Sequence, residues 1–134
     1  MIVVKKLIEG KILGRFSGRM EFGQRALGHR SIIADPRSHK IRDFINKEVK
    51  QREWWRPLAP SVLDEFAGDW FYDLHSNGNC SPYMSLTATL RDEKAGEVPA
   101  VAHVDNTARL QTVRRQDNPL YHSLIEAFRQ RTKV

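Results

Sequence analysis

A chain of 134 residues with 28% charged and 40% hydrophobic side chains has the size and composition of one globular domain, which excludes a fibrous or wholly disordered chain. Its net charge of +6 is concentrated: residues 15 to 56 hold eleven basic and five acidic side chains, whereas Asp64 to Glu97 holds seven acidic and two basic. No apolar run approaches a membrane span, the start MIVVKKLIEGK lacks the layout of a signal peptide, and the single cysteine, Cys80, excludes an internal disulfide, so a reducing, cytoplasmic setting without membrane contact is expected.

Ile2 to Glu9 reads as a helix with Val4, Leu7 and Ile8 on one face and Gly10 as its stop. Lys11 to Phe16 reads as a strand running into a glycine- and arginine-rich stretch, Gly18 to Ser31 (GRMEFGQRALGHRS). A second strand, Ser31 to Ala34, and an Asp35-Pro36 turn lead to a helix over Ser38 to Lys50. Ser38 is placed to cap it, and Ile41, Phe44, Ile45 and Val49 are spaced as a buried face. Pro57 and Pro60 exclude helix from the next segment, and Leu58 to Val62 reads as extended. A short helix over Asp64 to Tyr72 and a loop over Leu74 to Asn79 follow. Tyr83 to Leu90 and Pro99 to Val104 read as strands joined by the charged loop DEKAGE, while Thr107 to Val113 leaves its type open. Asn118-Pro119 opens a final helix with Leu120, Tyr121, Leu124, Ile125 and Phe128 facing inward. No repeat or linker divides the chain, so residues 1–134 read as a single domain of the α/β (α+β) class.

The glycine stretch carries the densest chemistry. Gly18 and Gly23 let backbone approach a neighbour closely and Gly28 closes the run, while Arg19, Arg25 and Arg30 bring planar forks suited to phosphate or carboxylate oxygens. Glu21 and Gln24 lie among them. From the residues alone this is an anion-binding loop, for phosphate first, or else a solvated basic turn. A second cluster, Lys50, Arg52, Arg56 and Pro57, forms a KxRxxxRP pattern in which lysine offers a point charge and each arginine two parallel bonds. Trp54 and Trp55 between them either stack on a base or, as most large aromatics do, pack in the core. The third cluster is His103, Asp105, Thr107 and Arg109 at a predicted strand end, where ligand groups, a metal pair or a buried hydrogen-bonded histidine all fit. The other histidines (His29, His39, His75, His122) show no ligand spacing, so no metal site is expected, and Cys80 has no neighbouring base pattern. A Walker loop, a dinucleotide fingerprint and a Ser/His/Asp order are all lacking. The residues imply a small α/β domain with a Gly/Arg pocket for a phosphate-bearing molecule.

Taken in order, GRMEFGQRALGHRSIIADPR, DFINKEVKQREWWRPLAPSVL, SPYM and PAVAHVDNTARLQTV resemble the C-terminal domain of the NodU/CmcH-type O-carbamoyltransferases over nearly the whole chain. The resemblance implies a YrdC-like open twisted mixed sheet with flanking helices. It also implies use of carbamoyl phosphate with ATP as co-substrate to make carbamoyl-adenylate, phosphate and pyrophosphate. The carbamoyl group then passes to a substrate hydroxyl in a larger N-terminal domain that holds the metal. By the same resemblance Arg25, Lys50, Arg52, Arg56 and Arg109 are carbamoyl phosphate and ATP ligands, with Gln24, His103, Asp105 and Thr107 as supporting groups; no catalytic residue is singled out.

Three positions depart from the family pattern: Gln24 for proline, His29 for asparagine and Asn106 for glycine. Family members also continue beyond the last helix into a strand and an NTSFN segment, then GEP, so this chain is expected to be incomplete at its C-terminal end, to bind ATP or carbamoyl phosphate weakly and not to transfer carbamoyl groups alone. A basic RNA-binding module with the same fold is the alternative, because the basic stretch carries interleaved tryptophans; a purely structural interaction domain comes third.

Overall fold

The chain was analysed as a computed structural model, which describes residues 2–74 and 80–134; the expected loop beyond Leu74, with His75, lies outside the described residues. Helix α1 (Ile2–Ile8) buries Val4 and Leu7 and stops at Gly10, whose φ of 77° lets its amide bond back to the Leu7 carbonyl. Ile8, expected on the same inner face, is part-exposed. Strands β1 (Leu13–Phe16) and β2 (Arg30–Ile33) form an antiparallel ladder from Leu13↔Ile33 to Phe16↔Arg30, so the glycine stretch up to His29 is the connection of one hairpin and Arg30 and Ser31 open its second strand.

Helix α2 (His39–Phe44) passes into a single π-helical turn, Ile45–Val49, closed by the Lys50 amide on the Ile45 carbonyl at 2.8 Å. The extra residue per turn rotates the expected apolar face. Ile45 and Asn46 are buried, whereas Phe44 and Val49 are exposed. Ser38 sits at the N-cap in extended conformation, but its side chain makes no capping bond.

Three further short strands and two small helices complete the middle of the chain. Strand β3 (Ser61–Leu63) leads through a 3-10 turn, Asp64–Phe66, into α3 (Ala67–Trp70); β4 (Thr87–Thr89), α4 (Asp92–Ala95) and β5 (Thr107–Arg109) follow. The chain ends with β6 (Gln111–Val113) and α5 (Pro119–Thr132). The strands pair as three two-stranded ladders, β1–β2 and β4–β5 antiparallel and β3–β6 parallel. The class is therefore the expected α/β (α+β) mixture with flanking helices, and among the described residues its strands stand in small ladders where one open twisted sheet was expected.

Two expected elements differ. Pro99 to Val104 is not a strand but a turn, held by the Val101 amide on Val98 and the Ala100 amide on Pro36. Its apolar side chains Ala100 and Val101 serve the core from that turn, and Pro99 has no N–H for a ladder. The strand over Tyr83 to Leu90 shrinks to β4, because Met84 takes a left-handed φ of 54°. The partner of β4 is β5, and the charged DEKAGE segment carries α4 instead of a simple loop.

The core has two parts. One gathers Phe71, Leu74, Leu90, Val98 and Leu110 around β4 and β5; the other packs Val4 and Leu7 of α1 against Tyr121, Leu124 and Phe128 of α5. Leu120, expected to face inward, is exposed, and His122 is buried in its place with Nε2 2.8 Å from Glu65 Oε1. Asn118 caps α5 by accepting from the Tyr121 amide at 3.1 Å. No helix among the described residues is long and apolar enough to cross a membrane.

The close backbone approach anticipated in the glycine stretch falls at Gly28. It has φ 99°, and a methyl there would press into the Tyr121 ring, 2.7 Å from Cε1 and 2.8 Å from Cγ; Gly23 has nothing within 4 Å of the same position. Gly28→Ala is expected to cost about 2–4 kcal/mol from strain and overpacking together. Gly96→Ala, with ordinary φ and open space around it, is expected to stay within about 0.5 kcal/mol of the unaltered chain. Urea denaturation midpoints of the two variants check the difference.

Candidate functional site

The amides of the glycine stretch do converge on an anion, but the anion is the chain's own. Glu21 Oε1 accepts from the backbone N–H groups of Leu27 (2.7 Å), His29 (2.9 Å) and Arg30 (3.2 Å). Burial works to raise the Glu21 pKa, and these amides outweigh it, holding the carboxyl at about 2. These three amides are therefore taken by the chain's own carboxylate, and an external anion would rely on the loop's side chains.

Side chains tie the same loop to the rest of the fold. Arg15 Nε donates to Gly28 O at 2.6 Å, and Gln111 Nε2 donates to Leu27 O at 3.0 Å while its Oε1 accepts from Ser61 Oγ. Tyr121 Oη donates in turn to Ser61 Oγ at 2.9 Å. His29 donates Nδ1–H to Ser17 O, which leaves Nε2 to accept from Asn118 Nδ2 at 3.2 Å. Arg30 spends its guanidinium on the Ser17, Gly18 and His29 carbonyls and on the Phe16 ring. Of the three arginines in this stretch, Arg25 is the one whose charge acts on Arg109.

The Lys50–Arg56 segment folds over the buried Asn46. Asn46 Nδ2 donates to Trp54 O (2.9 Å) and Arg56 O (2.7 Å), its Oδ1 accepts from Arg52 Nε (2.8 Å), and its backbone carbonyl accepts from the Arg52 amide (2.9 Å). Trp54 and Trp55 are 65% and 58% exposed, so core packing is not their role. Arg109 reaches the same region from the end of β5, where Leu110 hands the chain from the β4 ladder to the β3 ladder.

Gln24, Arg25, Lys50, Arg52 and Arg109 line one cavity of about 540 Å³ together with apolar Ile45, Leu58, Val62 and Ala100, and Arg30, Asp35 and Arg129 also line it. That volume lies in the range of small-molecule sites. Among the described residues no carboxylate forms an ion pair with Arg25, Lys50, Arg52 or Arg109. Burial, then the Arg52 charge, pushes Lys50 below its ordinary pKa. Arg52 is lowered by burial and then by Arg56 and Arg109, with Glu53 opposing, and Arg109 by burial and then by Arg25. Arg109 Nε is buried without a hydrogen-bond partner. A hollow with this lining favours an anion of several oxygens.

The remaining predicted residues lie elsewhere. Arg56 does not line the cavity; its side chain is half-exposed and pairs with Glu53 at 2.9 Å. His103, Asp105 and Thr107 satisfy one another: Thr107 Oγ1 donates to Asp105 Oδ1 (2.7 Å) and therefore accepts from His103 Nδ1 (2.9 Å). The turn they build passes through Asn106 at φ 59°, a conformation asparagine tolerates better than most residues, which accounts for its standing in place of glycine. Asn46 and Gln111 carried no sequence sign of importance, since a polar residue in a helix or strand is ordinarily solvent-facing. Cys80, read as a plain thiol, accepts from Arg114 Nη2 at 2.7 Å.

Residues 4–134 match the family model described as carbamoyltransferase C-terminus. The chain is similar to the nodulation protein NolO of Bradyrhizobium diazoefficiens, 46% identical over 128 residues that make up 96% of this chain and 23% of that protein. It is 48% identical over 128 residues to the nodulation protein NolNO of Sinorhizobium fredii, covering 96% of this chain and 19% of that one. With the 3'-hydroxymethylcephem-O-carbamoyltransferase of Streptomyces clavuligerus it shares 40% identity over 124 residues, 92% of this chain and 22% of that protein. The chain thus spans about a fifth of the length of these curated relatives.

The Glu21 clamp predicts an acid dependence with a definite sign. Its folded pKa of about 2 lies below the ordinary 4.5, so its contribution is fully present above pH 4.5 and is lost as pH falls toward 2. Glu21→Gln is expected to destabilise the chain by about 1–2 kcal/mol at neutral pH, allowing for solvent screening of a half-buried loop, and to flatten that acid limb. Urea denaturation at pH 7, 4.5 and 3 measures both; parallel curves for variant and unaltered chain would contradict the clamp.

Proposed function

The chain belongs to the carbamoyltransferase C-terminal family, and from that premise we propose that it is the part of an O-carbamoyltransferase that receives carbamoyl phosphate and ATP. In this reading the two co-substrates give carbamoyl-adenylate, phosphate and pyrophosphate. Water first cleaves carbamoyl phosphate to carbamate and inorganic phosphate; a carbamate oxygen then bonds to the α-phosphorus of ATP as the bond from that phosphorus to the departing pyrophosphate breaks. The carbamoyl group then passes to a substrate hydroxyl in a separate N-terminal domain, for which the four- to fivefold greater length of the relatives leaves room. The cytoplasm, where ATP is at hand and Cys80 stays reduced, is the setting of this reaction.

The observation that carries the reading is the convergence of Arg25, Lys50, Arg52 and Arg109 from three separate segments on one hollow without a carboxylate partner. Adenylation spreads negative charge over an α-phosphate and a leaving pyrophosphate, and fixed cations facing that position lower its barrier without reorganising. Arg52 and Arg109 offer forks for two oxygens each, and Lys50 a point charge. Gln24 adds an amide at the rim. Arg56 acts at a distance, through its charge on Arg52.

The exposure of Trp54 and Trp55 beside these cations favours one second reading, stacking on single-stranded RNA. Calorimetric titration separates the two. Carbamoyl phosphate or ATP is expected to bind, and Arg25→Gln, Arg52→Gln and Arg109→Gln are each expected to weaken that binding roughly ten- to a hundredfold. RNA binding that falls steeply with salt, with no response to millimolar carbamoyl phosphate or ATP, would overturn the transferase reading in favour of the second.

A further inference from the structure

Arg52 is placed for its task by a residue that touches no part of the cavity. An arginine side chain in water samples many rotamers, and ordering it costs conformational entropy. In this chain Arg52 Nε–H is taken by Asn46 Oδ1 at 2.8 Å, and the Arg52 amide by the Asn46 carbonyl at 2.9 Å. Both ends of the Arg52 side chain's first four bonds are thus referred to one buried residue. Among the described residues no hydrogen bond engages the terminal nitrogens Nη1 and Nη2, and the side chain lines the hollow.

Asn46 is itself fixed from both sides. It is 0% exposed, and its two Nδ2 hydrogens go to the carbonyls of Trp54 and Arg56. All the hydrogen-bonding capacity of the amide group except one lone pair is used. The π turn Ile45–Val49 is what makes this geometry available, because it turns Asn46 inward and returns the chain over it through Gln51 at φ 48°. Neutral amide chemistry matters here: an aspartate could hold Arg52 Nε but would cancel its charge and lose both carbonyl ties.

We propose that Asn46 is a positioning residue for the phosphate-binding site, holding the Arg52 fork in register with the hollow by bonding its Nε; this rests on the reading of the hollow as a phosphate site. Two measurements on the 134-residue chain test it. In the unliganded chain, the Arg52 Nε–H resonance is expected to exchange with solvent at least tenfold more slowly than that of exposed Arg19, and exchange as fast as Arg19 would overturn the proposal even if Asn46 variants fail to fold. In a double-mutant cycle read by ATP affinity, Asn46→Ala is expected to cost tenfold or more, as Arg52→Ala does, and to cost nothing further in the Arg52→Ala background. An Asn46→Ala loss that persists undiminished without Arg52 would mark a merely structural role and overturn the proposal. A chain that binds no ATP at millimolar concentration overturns the phosphate reading itself, and slow exchange at Arg52 would then show the Asn46 hold to be real but serving another ligand.

Discussion

Arg25, Lys50, Arg52 and Arg109 are held around a single hollow although each repels a neighbour, Arg52 acting on Lys50, Arg109 on Arg52 and Arg25 on Arg109. Lys50, Arg52 and Arg109 each sit below their ordinary pKa, first because burial disfavours their charged forms and then because each feels another cation. Left to themselves such groups would swing outward to water. They are restrained by separate devices: a strand end for Arg109, a buried amide for Arg52 and a closed loop for Arg25. A bound polyanion would remove the repulsion and replace the lost hydration at once.

The loop and the strands are joined by a run of polar contacts, so the restraints do not act independently. Leu27 O, Gln111, Ser61 and Tyr121 form a hydrogen-bonded thread from the glycine stretch across the parallel ladder to α5. Gly28 lies against the Tyr121 ring at the same place, and His29 meets the Asn118 cap. The family's asparagine is replaced at this last position by a histidine that still supplies one donor and one acceptor, to Ser17 O and from Asn118. That substitution keeps the connection between loop and helix.

How far the sequence revealed this depends on the kind of information each feature needs. The final helix and the β1–β2 hairpin follow from local periodicity and turn residues, and they stand close to where pattern places them. That Arg25, Lys50, Arg52 and Arg109 line one hollow needs tertiary structure, although their clustering with glycine and proline was visible in the chain. What escaped was set by tertiary context. Asn46 looks like any helix-surface asparagine until a π turn rotates it inward, and Trp54 and Trp55 look like core until the buried amide is seen to hold the Trp54 and Arg56 carbonyls while both rings stay exposed. Pro99 to Val104 has a strand's composition, yet its apolar side chains are buried from a turn. Glu21 stood in plain view among the arginines, but nothing local says that its carboxylate is the partner of three amides six to nine residues ahead.

That internal carboxylate settles a thermodynamic matter for any ligand of the neighbouring hollow. Many glycine-rich loops are slack until a phosphate arrives, and part of the binding energy is then consumed in freezing backbone. Here the backbone from Leu27 to Arg30 is frozen during folding, by an anion built into the chain. A ligand of the hollow would accordingly have no need to order that part of the loop, and its heat-capacity change would reflect surface removed from water.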